Sequence, residues 1–152
     1  MRFFVLISLL FLGACAAPMN KEQRFALLSK INTRVNSEIT YTPETKDVWH
    51  TYEEVMKTHT GDCEEYAIVK CTLLQSQISD RDMKIVVATS LQKRPAHAVL
   101  LVDDYYVLDN NRKRPYPVDV FLKKWKPEFA LNHCAAEEIK SIKGTAAGGS
   151  HK

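Results

Sequence analysis

The sequence predicts an α+β domain in which N-terminal helices pack on an antiparallel sheet, and three observations predict it. Over Lys21 to Ile39 the residues Phe25, Leu28, Ile31 or Asn32, Val35 and Ile39 recur at helical spacing. From Lys84 the period changes to short β-rich runs, KIVVATSL, HAVLLV and YYVLDN. The last two runs are joined too tightly for a parallel crossover, so they form an antiparallel hairpin.

At 152 residues, 45% hydrophobic and 26% charged, the chain has the make-up of one globular domain. Its start is different. Arg2 is followed by FFVLISLLFL, an apolar run too short to span a bilayer as a finished helix, which reads as a secretory signal. The run ends in LGAC, Leu12 to Cys15, which resembles a bacterial lipobox. Residues 1–14 are then a lipoprotein signal peptide and Cys15 the lipidated residue, anchoring the chain in a bacterial membrane, the outer one by preference, on the periplasmic side. An ordinary signal peptide cut after Ala16-Ala17 is the alternative, and both export the chain. Residues 15–143 make the single domain, and the low-complexity GTAAGGSHK, residues 144–152, is expected to be disordered. Net charge is +3 with basic residues scattered apart from Arg112 to Arg114, so no basic stripe asks for nucleic acid.

Between the first helix and the strands, a loop runs through Pro43 and Thr51 stands three residues before Glu54, a capping-box spacing that opens a short helix ending near His59. Gly61 breaks the chain. Asp62 then caps a third helix, Glu65 reaches back to the cap's amide, and Cys63 is the first helical residue. Cys63, Ala67, Cys71, Leu74 and Ile78 share one inward face. The continuously apolar strands call for cover on both faces. The closing segment, with Trp125 and Phe129, reads as a last helix against the sheet.

A thiol at a helix start, His97 at the head of an apolar strand and Asp109 at the end of its hairpin partner form a constellation with a division of labour. The imidazole takes the thiol proton, the carboxylate fixes the ring's tautomer, and the thiolate attacks a carbonyl. A hairpin loop with an odd residue count, for example Val102 to Asp104, puts His97 and Asp109 on one face directly opposite each other; a two-residue loop would instead make Asn110 the orienting residue. The acids beside the thiol, Asp62, Glu64 and Glu65, should raise its pKa, while the helix dipole lowers it. Calcium would neutralise these hard oxygen ligands, although acids also complement a helix N-terminus with no ion present. Equally, a lone buried cysteine is usually a small apolar residue and a lone strand histidine a satisfied core residue.

Export brings an oxidising compartment. Along one helix Cys63 and Cys71 stand roughly 12 Å apart, beyond the separation of about 7 Å that a bridge tolerates. Cys71 with Cys134 is the pairing that leaves Cys63 unpaired. His50, His59, His133 and His151 lack companions at metal spacing and read as loop or surface residues.

The ordered set INTRVNSEITY, Trp49, GDCEEYAIVK, HAVLLV and YVLDN, spanning about Ile31 to Trp125, resembles the bacterial transglutaminase-like cysteine peptidase family. The resemblance implies a papain-like α+β fold of the transglutaminase type, with Cys63 as nucleophile, His97 as base and Asp109 as third member, and peptide-bond cleavage in the periplasm. It also implies kinship with calcium-dependent proteases that clip large surface adhesins, in which the acids flanking the cysteine contribute to the calcium site. Three departures stand out: Glu65 replaces the usual Asp, the chain is short, and a lipid anchor is not general in those proteases.

The function expected from all this is a membrane-anchored periplasmic cysteine protease acting on a cell-envelope protein, with surface adhesins the candidate class, calcium as the candidate ion and no organic cofactor. Two rivals use the same fold: a noncatalytic envelope lipoprotein that binds a protein or peptidoglycan partner, and a transglutaminase-type acyl transferase.

Overall fold

The computed structural model describes residues 18–43, 48–132 and 134. Cys15 with its lipobox, His133, and the low-complexity tail with His151 lie outside the described residues.

Helix α1, Lys21–Glu38, starts at Asn20, whose Oδ1 accepts from the Gln23 amide at 2.9 Å while Gln23 Oε1 accepts from the Asn20 amide at 3.0 Å. This reciprocal cap satisfies two of the four N–H groups that a helix start leaves unpaired. Its buried face is Leu28, Ile31, Asn32 and Val35, so both alternatives at the second heptad turn inward. Helix α2, Tyr52–Thr58, is capped in the same way by Thr51 and Glu54 and ends in a left-handed His59 at φ 53°. Helix α3, Cys63–Leu74, follows. Among the described residues no helix is long and apolar enough to cross a membrane.

Two very short strands, β1 at Thr40–Tyr41 and β2 at Thr60–Gly61, pair in parallel and tie the end of α1 to the start of α3. Two-residue strands carry no periodicity and so leave no local signal in the residues. A five-stranded sheet forms the second half: β3 Met83–Ser90, β4 His97–Val102, β5 Tyr106–Leu108, β6 Tyr116–Pro117 and β7 Trp125–Leu131. The spatial order is β6-β5-β4-β3-β7, and the neighbouring strands pair antiparallel.

Both faces of the sheet are covered, as the continuous apolar strands required. On one side Ile85, Leu100, Val102 and Leu108 pack with Leu28, Val35 and Leu74 of the helices. On the other, Val86, Ala88, Val99 and Val107 pack with Phe121 of helix α4, Val118–Leu122. A strand buried on both sides reads as a near-unbroken hydrophobic run for this reason.

The expected last helix through Trp125 and Phe129 is instead β7, an outer strand paired with β3. A spacing of four suits one side of a helix, but in the strand the register shift falls between the two aromatics: Trp125 pairs with Ser90 and Phe129 with Val87, so they face opposite sides of the sheet. Pro127 decides between helix and strand: without an N–H it would break a helix, whereas at an outer strand beside the register shift at Val87/Ala88 it is accommodated.

Candidate active site

Three elements bring the sequence-predicted residues to one end of the sheet. Cys63 opens α3, His97 opens β4, and α3 packs along β4. The N–H of Ala98, the residue directly after His97, donates toward the Cys63 sulfur and lowers its pKa. Cys63 is the unpaired thiol among the described residues, because Cys71 and Cys134 are bonded to each other with Cα atoms 5.4 Å apart.

His97 Nε2 lies 3.0 Å from Asp109 Oδ1, and both residues are buried. The hairpin loop does have an odd count, but it is Asp103 to Tyr105, with Asp103 and Asp104 in the left-handed region at φ 56° and 53°. Aspartate tolerates that region through local side-chain hydrogen bonding. The resulting register, Leu100↔Leu108 and Val102↔Tyr106, would carry Asn111 rather than Asp109 opposite His97. Strand β5 stops at Leu108, the chain turns, and Asp109 meets the imidazole diagonally, on the same face. The side chain of Asn110 instead accepts from Asn111 at 3.5 Å.

Asp109 is fully occupied. Its Oδ1 also accepts from the Asn111 amide at 2.8 Å and its Oδ2 from the Tyr116 hydroxyl at 2.8 Å. Burial alone would push this carboxyl up, but the hydrogen bond and charge of His97, with the donors Asn111 and Tyr116, hold it below the usual carboxylate range. Helix α1 pins the turn from behind: Asn36 Nδ2 donates to the Asp109 and Arg112 carbonyls at 3.0 and 2.9 Å, and Asn32 Nδ2 to the Arg112 and Lys113 carbonyls at 2.7 and 3.1 Å. Trp125 closes over the imidazole, ring centroids 5.0 Å apart.

The surroundings of the thiol are the reverse. Cys63 Sγ donates to Glu64 Oε2 at 3.3 Å, and burial, the Glu64 carboxylate and Asp62 together push the thiol well above its ordinary range. Burial and the neighbouring Asp62 carboxylate in turn push Glu64 up to about 8. Ligand atoms of Asp62, Cys63 and Glu64 lie within 4.8 Å of one another. Glu65 is placed differently: its Oε2 accepts from the Asp62 amide at 2.9 Å, as the capping pattern predicts, and its Oε1 from the His50 amide at 3.0 Å. Its stem fills the space over Gly61, where an added Cβ would come within 2.5 Å of Glu65 Cβ.

His50, expected as a loop or surface residue, thus sits half-buried beside Glu65, its Nδ1 3.5 Å from Oε1. Tyr116, Asn111 and the Ala98 amide also escaped the sequence reading, because nothing local to a Pro-Tyr-Pro or an Asn-Asn-Arg stretch points at a carboxylate seven residues or fewer away. Asn32 and Asn36 did leave a trace: two amides at i and i+4 on or beside the buried side of an amphipathic helix demand a polar partner.

The model of the bacterial transglutaminase-like cysteine proteinases matches residues 14–120, most of the chain. The chain belongs to that family. It is also similar to solved structures of Legionella pneumophila LapG. One has a TM-score of 0.63 at 25% identity, over 70% of this chain and 64% of that one. A calcium-bound form gives 0.62 at 25% identity with the same shares, 70% and 64%, and an EGTA-treated form 0.63 at 25% identity over 70% and 62%. This chain therefore spans less than two thirds of LapG. No curated protein matches it. The mixed architecture of helices on an antiparallel sheet is that of the transglutaminase-like fold.

Proposed function

We propose that this protein is a periplasmic cysteine peptidase that cleaves a cell-envelope protein through Cys63, His97 and Asp109. The observation that carries the reading is the buried 3.0 Å contact of His97 Nε2 with a fully hydrogen-bonded Asp109, one residue from the amide that touches an unpaired thiol. With Nε2 engaged by Asp109, Nδ1 is the nitrogen that accepts the Cys63 proton. The thiolate attacks the scissile carbonyl carbon, and the imidazolium returns its proton to the departing amine. Water then hydrolyses the thioester, with His97 as base again, and the carboxylate of Asp109 keeps the ring in one tautomer throughout.

Calcium fits the acids at the helix start. Among the described residues Asp62 Oδ1 is buried without a hydrogen-bond partner, and the donor set of Asp62 and Glu64 is of hard oxygens. Bound there, the ion would supply the positive charge that offsets both carboxylates beside the thiolate. Glu65 belongs to this group as the residue that holds Asp62 and His50 in place. LapG is known in calcium-bound and EGTA-treated forms, which supports the same assignment. Cys15 as a lipid anchor would place the domain at the membrane surface, near envelope substrates of the adhesin class that the family resemblance suggests.

The test is labelling with a thiol-directed acylating probe, followed by fragment mass spectrometry of envelope proteins incubated with the soluble domain in calcium or chelator. Cys63→Ser should lose label and fragments, and the Cys71→Ser/Cys134→Ser double variant should keep both. Label that persists in Cys63→Ser would remove the triad.

A further inference from the structure

The surroundings of Cys63 and His97 are electrically opposite. The thiol side carries Asp62 and Glu64. The imidazole side is built from two neighbouring stretches, the loop leading into β4 and the connection between α4 and β7, joined where the Leu91 N–H donates to the Lys124 carbonyl at 2.9 Å. These stretches expose Lys93, Arg94, Lys123 and Lys124, and among the described residues none of the four makes an ion pair. Leu91 and Leu122 are 59% and 45% exposed in the same patch. The patch continues directly into the site, because Trp125, next after Lys124, packs its ring at a tilt against His97 and stacks on Phe121.

Four unpaired cations around two bare leucines are costly to leave side by side with nothing to face: like charges repel, and exposed aliphatic side chains gain only by being covered. Chemistry says what covers them. In acyl transfer from a peptide, His97 protonates the departing amine, so the segment on the C-terminal side of the cut lies along the imidazole side of the cleft. We infer that Lys93, Arg94, Lys123 and Lys124 with Leu91 and Leu122 form the docking surface for the residues following the scissile bond, and that this part of the substrate is acidic with interspersed aliphatic side chains. The inference rests on the peptidase reading above. It gives the enzyme a preference set by charge complementarity, which acts mainly on encounter and register.

A proteome-derived peptide library digested in calcium by the wild-type domain, with Cys63→Ala as control, reads the preference directly. Asp and Glu should be enriched severalfold at the first positions after the cut. K123E/K124E should erase that enrichment and lower kcat/KM on an acidic test peptide about fivefold, the size expected when two exposed ion pairs are lost, while a neutral peptide is cut as before. Raising salt should mimic the variant on wild-type enzyme, which keeps the test sound if the variant folds poorly. Cleavage with no acidic preference, or the same preference in K123E/K124E, overturns the docking surface and leaves the peptidase standing. Failure to cut any peptide while Cys63 still takes the acylating probe also overturns it, and loss of the label as well takes the peptidase reading with it.

Discussion

The two halves of the site differ in how far their polar groups are satisfied. Around Asp109 the hydrogen bonds of the carboxylate close: His97, Asn111 and Tyr116 take its oxygens and Asn36 Nδ2 the backbone carbonyl, and what goes unpartnered there among the described residues is neutral, the amide oxygens of Asn32 and Asn36. Around Cys63 they do not. Asp62 Oδ1 is buried with no partner, Glu64 is held in a largely protonated state near neutrality, and the thiol leans on that carboxyl. The half that holds His97 and Asp109 therefore asks for no further group, whereas the two carboxylates beside Cys63 face no positive charge among the described residues. On the peptidase reading proposed above, such a site stays idle until that charge is supplied.

The largest effect should come from opening the finished half. Asp109→Ala removes both the acceptor that orients the imidazole and the charge that stabilises its protonated form, whereas an asparagine could still accept from the ring through its oxygen. Turnover should fall roughly a thousandfold to ten-thousandfold with little change in KM. Steady-state kinetics on any cleaved peptide, alongside thermal unfolding to show the fold intact, checks it; a loss below about tenfold would mean that Asp109 is a core residue only.

A middle-sized effect belongs to the hinge between strand and nucleophile helix. At Gly61 an added Cβ would meet Glu65 Cβ at 2.5 Å and Cγ at 2.8 Å, and Glu65 has no other place to go because its two oxygens hold the Asp62 and His50 amides. Gly61→Ala should destabilise the domain by roughly 1–3 kcal/mol through overpacking. Denaturant unfolding measures it, and Gly61→Ala/Glu65→Ala should recover part of the strain, a result that a purely backbone effect of glycine would not give.

How much of this could be read from residues alone follows the range of the interactions. The helix starts at Thr51 and Asp62 were legible because a cap spans three positions, and the apolar strands because burial on both faces leaves no alternation. The face shared by His97 and Asp109 was legible from parity, since any odd loop gives it, whereas the register itself was not: Asp103 and Asp104 entering the left-handed region moved the turn by one residue. Strand β7 hides from local patterning because the Trp125–Phe129 spacing fits a helix and the register shift between them removes the strand's own alternation. Tyr116, Asn36 and the cations around Leu91 became site residues only through tertiary contacts that no local pattern encodes.

The smallest effect tests the unfinished half through pH. Glu64 is raised from 4.5 to about 8, so between those values the folded chain holds a proton that the unfolded chain has lost, and stability must fall as pH rises across the window. Lys70, buried on α3 with no hydrogen-bond partner, is lowered from 10.5 to about 7, and the sign reverses: from about 7 upward the unfolded chain binds the extra proton and stability rises with pH. In chelator, melting temperature should therefore decline from about pH 5 to 7, level off between about 7 and 8, where the two groups oppose each other, and rise above that. Glu64→Gln cannot ionise, so it should shrink the decline to the share of Glu65, whose carboxyl burial also pushes up, a gain of roughly 1 kcal/mol near pH 7 once partial exposure to water is allowed for. Added calcium should flatten the wild-type profile and leave that of Glu64→Gln nearly unmoved, because the ion acts on the carboxylate the variant lacks. A wild-type profile that is already flat in chelator, or a variant that answers calcium as strongly as wild type, would move the unfinished charge away from Glu64 and leave the acids at this helix start as ordinary partners of its dipole.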